Sequence, residues 1–259
     1  MAYSEISVRS AGPVGVITMT ESALGNPLAP EGSEREIQDA LMAFQADRDI
    51  RSVVLTGTGD VFSLGNVPRN DPEVHGGRSL GERFAFGYSR GNFWYWLPEF
   101  RKLLIAAVNG RCEDGAWELA LMCDLIVAAD SASFSMNHLD MGVNPCHTTC
   151  HYLTRALGKH RAMDVVLNAR TLDAARCLSL GLVNYVVADG DCLAFAEALG
   201  QRLSARPPVT TAATRRLIAG SGGVPAEQDL ERAVAFFLRT TEETKQAAEA
   251  YGLANPRPV

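Results

Sequence analysis

Residues 102–130, KLLIAAVNGRCEDGAWELALMCDLIVAAD, constrain this chain more than any other stretch. They read as a buried apolar strand, a tight turn, a short helix and a second buried strand. Inside the helix Glu118 stands among Trp117, Leu119, Ala120, Leu121 and Met122. A carboxylate is rarely enclosed by apolar neighbours unless it is paired or functional. The first turn of a helix also leaves backbone N–H groups without intrahelical acceptors, so the segment around Gly115 presents donors to developing negative charge. Amide donors and an acid within one helical turn make a small catalytic apparatus.

The rest of the composition bounds what surrounds this apparatus. At 259 residues and 47% apolar content, the chain suits one α/β domain with an appendage, or two domains at most. No apolar run reaches the roughly 18–20 residues of a membrane span, so no membrane association is expected. MAYSEISVRSAG lacks a basic start leading into a hydrophobic segment, so no signal peptide is expected. A net charge of −6 with dispersed Lys and Arg argues against a nucleic-acid partner. Cysteines at 112, 123, 146, 150, 177 and 192 lie in or beside apolar segments, which reads as reduced thiols and a cytoplasmic location. The run Cys146-His147-Thr148-Thr149-Cys150-His151 contains metal-ligand types. It lacks the second cluster that zinc sites use, so packing and pocket lining are expected there, with no metal.

Residues 6–19 alternate apolar and polar and turn at Ala11-Gly12-Pro13, which predicts a hairpin. Ser33 as N-cap with Glu36 three residues on predicts a capping box opening a helix to Asp47. Strands are expected at 52–56, 61–63, 133–136 and 181–187. An aromatic-rich helix is expected over 83–101 and a polar loop before it. Helices are expected at 147–157, 159–168 and 173–180. From residue 189 onward every segment reads helical: 193–205, 208–219, 226–239 and 242–251. The expected division is a core with the active site over 1–188 and a helical end over 189–259.

Three segments resemble the crotonase superfamily, the enoyl-CoA hydratase/isomerase family. Val53-Val54-Leu55-Thr56-Gly57 with Phe62-Ser63-Leu64-Gly65-Asn66 is similar to that family's VLTG…FSAGAD segment. Residues 102–124 are similar to its KPVIAAVNGxxxGGGxELALACD segment. Arg155-Ala156-Leu157-Gly158, Arg161-Ala162, Thr171-Leu172 and Gly181-Leu182-Val183-Asn184 follow its later run. The resemblance covers most of the chain. It implies an α/β spiral of ββα units whose helical end packs into a homotrimer or a dimer of trimers. It further implies an acyl-CoA substrate whose thioester carbonyl sits between the amides of Asn66 and Gly115, an oxyanion hole that stabilises an enolate. CoA enters as part of the substrate, and no separate cofactor is implied. Leu64 and Gly65, beside the first amide, would bind substrate, Arg69 and Lys245 would offer charge to the CoA, and Trp94 and His147 would line the acyl pocket.

The chain departs from that pattern at defined positions. Family hydratases use two glutamates as an acid/base pair; Glu118 matches the first, and His138 stands at the second. The glycine triplet becomes Asp114-Gly115-Ala116, and PGxGGTQRL becomes Pro145 to Leu153 with Cys146, His147 and Thr149. The leading expectation is enoyl-CoA hydration or isomerisation with Glu118 and His138 as the catalytic pair, on a substrate other than a plain straight-chain enoyl thioester. A second reading is a CoA-independent hydrolase of a C–C bond in a cyclic β-diketone, since some family members carry histidine at the position of His138. A third is a non-catalytic relative that binds acyl-CoA.

Overall fold

The computed structural model describes residues 3–30, 32–66, 92–147 and 149–220, with 242, 245, 246, 249 and 250. Two sheets organise it. Strand β1 (Ile6–Ala11) turns through Gly12-Pro13 into β2 (Val14–Met19), antiparallel, with Ile6 opposite Met19 and Ala11 opposite Val14. Gly12 takes φ +60°, a conformation that glycine adopts without steric cost. Parallel to β2 run β3 (Ser52–Gly57), β5 (Leu103–Val108), β7 (Leu125–Ala129) and β10 (Tyr185–Val187), giving the order β1-β2-β3-β5-β7-β10. Strands β3, β5 and β7 are almost entirely buried and largely apolar rather than alternating, as expected for central strands of a parallel sheet covered on both faces.

Each central strand is followed by a partner in a smaller sheet. These partners are β4 (Val61–Ser63), β6 (Arg111–Glu113) and β8 (Ser133–Ser135), and β9 (Leu172–Asp173) closes the edge antiparallel to β8. Successive units thus send one strand to each sheet, the ββα spiral implied by the resemblance. Helix α1 (Ser33–Ala46) packs on the β1–β2 hairpin, while α7 (Cys192–Ser204) lies across β2, β3, β5 and β7. Between them are α2 (Phe93–Trp96), α3 (Gly115–Met122), α4 (Thr149–Leu157), α5 (Lys159–Leu167) and α6 (Ala174–Ser179). Beyond α7, α8 (Pro208–Gly220) is tied back by Arg215, which donates to Asp124 and to the Phe100 carbonyl. No helix among the described residues is long and apolar enough to cross a membrane.

Several local expectations are corrected. Ser33 does not cap α1: Gly32 does, without a side-chain bond. The Ser33 hydroxyl donates instead to the Pro27 carbonyl at 2.6 Å, and Glu36 accepts from the Ser4 and Glu5 amides, pinning the start of the chain to the helix. The aromatic helix is only four residues long where described. Asn92 caps it, and Pro98 sits in the 3-10 turn that ends it, because proline cannot donate the next intrahelical bond. Residues 181–184 are turn rather than strand, and strand begins at Tyr185. Strand β9 was not foreseen, its two residues being too few for periodicity to register. Residues 83–91 and 226–239 lie outside the described residues.

Candidate active site

Helix α3 begins where β6 and β8 stop pairing. Their parallel register ends with Glu113 beside Ser135, and the Asp114 amide then donates to the Ser135 carbonyl at 2.9 Å. This brings residues 114 and 137–138, far apart in sequence, to one point. The loop after β4 arrives from the other side. Gly65 takes φ +71°, and a Cβ there would come within 2.8 Å of the Gly115 nitrogen. A Cβ on Gly115 would lie 3.4 Å from the Asn66 nitrogen and would overlap Asn66 Oδ1. The backbone nitrogens of Asn66 and Gly115 are therefore neighbours, and only glycine at 65 and 115 permits the approach. The Asn66 carboxamide is anchored from below, donating to Glu34 Oε1 at 2.9 Å and the Leu28 carbonyl at 3.3 Å.

One helical turn beyond Gly115, the fully buried Glu118 carboxylate is divided between two environments. Its Oε1 accepts from the Cys146 amide at 2.9 Å, the His147 amide at 3.2 Å and the Thr149 hydroxyl at 2.7 Å. Its Oε2 has no hydrogen-bond partner among the described residues. It faces His138 Nε2 at 3.9 Å and His147 Nε2 at 3.8 Å. One oxygen is thus held by three donors, and the other is left without a hydrogen bond among the described residues. Trp94 stacks on His147, ring centroids 3.9 Å apart and planes 4° from parallel.

His138 is also buried, and its ring lies between two acids. Nε2 faces Glu118, and Nδ1 lies 3.3 Å from Asp114 Oδ1, near enough for a charge contact but not aligned as a hydrogen bond. Burial opposes the imidazolium. The Glu118 charge and the contacts with Asp114 and Cys146 outweigh it, and the ring is pushed up to about 10. A carboxylate about 4 Å away contributes about 4 kcal/mol gross at an effective dielectric near 20. Taking a cation out of water costs several kcal/mol. One acid therefore roughly balances the burial, and the second tips it towards the charged ring.

Among the described residues, Glu118, His138 and Cys146 each bring one donor atom within 4.8 Å of the others. The donor types suit zinc. A doubly protonated imidazolium offers no lone pair, however, so a cation here must first expel a proton held between two carboxylates. The donor set fits proton handling better than ligation. Cys150 and His151 take no part in this group: Cys150 is partly exposed, and His151 lies 3.4 Å from Arg155.

Of the residues picked out from sequence, Glu118, His138, His147, Trp94, Asn66, Gly65 and Gly115 come together. Leu64 is buried with its side chain against Gly25. Lys245 is exposed and pairs with Glu242 at 3.2 Å. Arg69 lies outside the described residues. Sequence reasoning took Cys146 as packing and pocket lining, missed the contact of Asp114 with His138, and did not foresee that Thr149 and two loop amides fix Glu118. The signal was present at 114, where an acid stands in the family's glycine triplet.

The ββα spiral, with Glu118 and His138 buried near the neighbouring nitrogens of Asn66 and Gly115, is the architecture of the crotonase class. The profile of the enoyl-CoA hydratase/isomerase family matches residues 9–252. A probable enoyl-CoA hydratase of Rhizobium meliloti is 37% identical over 200 residues, covering 77% of this chain and 74% of that one. The 2,3-dehydroadipyl-CoA hydratase of Escherichia coli is 28% identical over 250 residues, covering 96% and 95%. Among solved structures, an enoyl-CoA hydratase/isomerase from Pseudoalteromonas atlantica superposes with TM-score 0.85 at 26% identity, covering 98% of this chain and 99% of that one. The chain belongs to the enoyl-CoA hydratase/isomerase family, and it is an enzyme of that type.

Proposed function

We propose that the chain acts on an enoyl-CoA thioester, holding its carbonyl oxygen between the amides of Asn66 and Gly115 while Glu118 and His138 move protons at the adjacent carbons. The observation that carries this reading is Glu118 itself: one oxygen is fixed by three donors, and the other, buried and without a hydrogen bond among the described residues, faces His138 one helical turn from Gly115. Two preorganised donors at a developing oxyanion are worth about 3–4 kcal/mol each. With Glu118 as the base that takes a proton from water or from the substrate carbon, the imidazolium of His138 is the acid that returns one. No cofactor beyond the CoA of the substrate is called for.

Trp94 and His147 line the pocket where they stack, and we propose that they narrow it against a plain straight chain. The test is a panel of enoyl thioesters, crotonyl-CoA and an enoyl-CoA ending in a carboxylate among them, followed by loss of the conjugated thioester absorbance. Turnover of crotonyl-CoA at the rate of an ordinary hydratase would overturn the narrowing. A second reading keeps the geometry but drops CoA: cleavage of a cyclic β-diketone, with the imidazolium protonating the enolate. The charged His138 favours it. Retention on immobilised CoA supports the first reading, whereas diketone hydrolysis without retention supports the second.

The helical end over 189–259 is proposed to carry the contacts of a trimer or a dimer of trimers. Six free thiols support a reducing, cytoplasmic setting.

A further inference from the structure

Asp114 occupies a costly backbone conformation. At φ +50° and ψ −121° it sits where the first central residue of a type II′ turn sits, a place suited to glycine. A non-glycine residue persists in such a region only when its surroundings over-determine it, and such outliers cluster at functional sites. Its side chain is costly too. The residue is 1% exposed, Oδ1 accepts from the Asn137 amide at 2.5 Å, and Oδ2 has no hydrogen-bond partner among the described residues. A buried carboxylate with an unbonded oxygen requires a counter-charge.

The titratable groups around the His138 ring are Asp114 from the turn before α3, Glu118 from α3 and Cys146 from the loop opposite. His147 meets Glu118 Oε2 from the far side. In that group only the His138 ring, next to both acids, can supply the cation. The contact is mutual, because the same acid fixes the ring's far edge and leaves Nε2 facing the reactive oxygen of Glu118. Residues 114 and 138, two of the places where this chain leaves its family's motif, are therefore in contact with each other.

We propose that Asp114 is a positioning residue: it orients the His138 ring from behind and balances its positive charge, so that His138 serves as the proton donor while Glu118 serves as the acceptor. The inference rests on the acid–base reading above and assigns the two roles to unlike groups. It places a carboxylate behind the imidazole, the arrangement by which an acid fixes ring orientation and charge.

The experiment compares Asp114→Asn, which keeps an acceptor for the Asn137 amide, with Asp114→Gly, which relieves the backbone. The first readout is the ring nitrogen shifts of His138 against pH in histidine-labelled free protein, assigned with His138→Gln. Both variants should lower the midpoint of the His138 titration by at least one pH unit. The second readout is kinetic: the alkaline limb of kcat/KM should move down with that titration, and kcat should fall at least tenfold with KM within about twofold. An unchanged His138 titration in either folded variant overturns the proposal, as does failure of both variants to fold, which would make Asp114 purely structural. The titration uses no substrate, so a shifted midpoint in a protein that turns over no enoyl-CoA would sink the proposed reaction and leave the pairing standing.

Discussion

Gly115 and Glu118 share one short helix, whereas His138, Cys146 and His147 come from an irregular stretch across the pocket. The helical wall keeps the family's residues at both matched positions, and the facing wall has replaced them. The difference follows from what each wall does. On α3, an amide and a carboxylate are held at fixed separation by one helical turn, and glycine at 115 is enforced by the Asn66 side chain, which fills the space a Cβ would need. Opposite that helix, Glu118 is anchored through the backbone amides of 146 and 147, which any residue but proline supplies, and through the Thr149 hydroxyl. The side chains at 146 and 147 can therefore change, and with them the reaction, while the acid stays held. Residue identity is pinned where a side chain, or the lack of one, makes the geometry, and it is free to drift where the backbone makes it.

The largest effect expected from the comparison is on the helical wall. Glu118→Gln keeps the Oε1 acceptor and removes the base, so kcat should drop by about 10³-fold, within the range of general acid–base groups, at little change in melting temperature. A variant with undiminished turnover would place the chemistry elsewhere. Next is Gly115→Ala, whose Cβ overlaps Asn66 Oδ1 and pushes the two amides apart. The loss expected is about 10²–10³ in kcat, the usual cost of one oxyanion donor, with a lowered melting temperature as the loop after β4 shifts.

The facing wall should show itself through pH. In the folded chain His138 titrates near 10, above the roughly 6.5 of an unfolded histidine. Its contribution to stability is therefore complete below about pH 6.5 and is lost as pH rises towards 10. In that window the native state binds the extra proton, so stability falls by on the order of 1 kcal/mol per pH unit. Burial also raises Cys112, Cys123, Cys177 and Cys192, with Cys177 and Cys192 pushed up to about 12, and these thiols add a second decline once unfolded cysteines ionise above about pH 8.5. Urea unfolding at pH 6.5, 7.0 and 7.5, below the range in which the thiols ionise, should thus slope downward in the native chain and run nearly flat in His138→Gln. Equal slopes in the two proteins would mean that His138 is neutral in the folded state.

Much of the helical wall was legible from sequence because it is local. Glu118 and Gly115 lie three residues apart inside one helix, and apolar flanks announce the burial. The central strands were legible for the same reason, as a buried strand at 52–56 and two apolar strands flanking the short helix within 102–130. What escaped was set by register. Asp114 meets His138 because β6 and β8 pair in parallel with Glu113 beside Ser135, and no spacing within either segment encodes that alignment. Ser33 and Glu36 mimicked a capping box, yet both were claimed by tertiary partners, Pro27 for the hydroxyl and the Ser4–Glu5 backbone for the carboxylate. Cys146 read as packing and pocket lining. Its thiol comes within 4.8 Å of donor atoms of Glu118 and His138 because the loop folds its own amide onto Glu118.

The smallest effect belongs to the Trp94–His147 stack, and it discriminates between two ways in which the facing wall could act. If His147 contributes through its ring, weakening the stack alters how substrate fits. If it contributes by holding Glu118, weakening the stack alters chemistry. The second is mechanically remote, since Glu118 is bound by the His147 amide, the Cys146 amide and the Thr149 hydroxyl, none of which depends on the imidazole. Trp94→Phe retains an aromatic in a buried position and gives up part of an interaction worth about 0.5–1.5 kcal/mol. KM for the preferred thioester should therefore rise by up to about fivefold, with kcat within twofold, measured side by side with Glu118→Gln. A kcat that falls as far as KM rises would show that the stack sets the position of Glu118, and that the two walls are not independent.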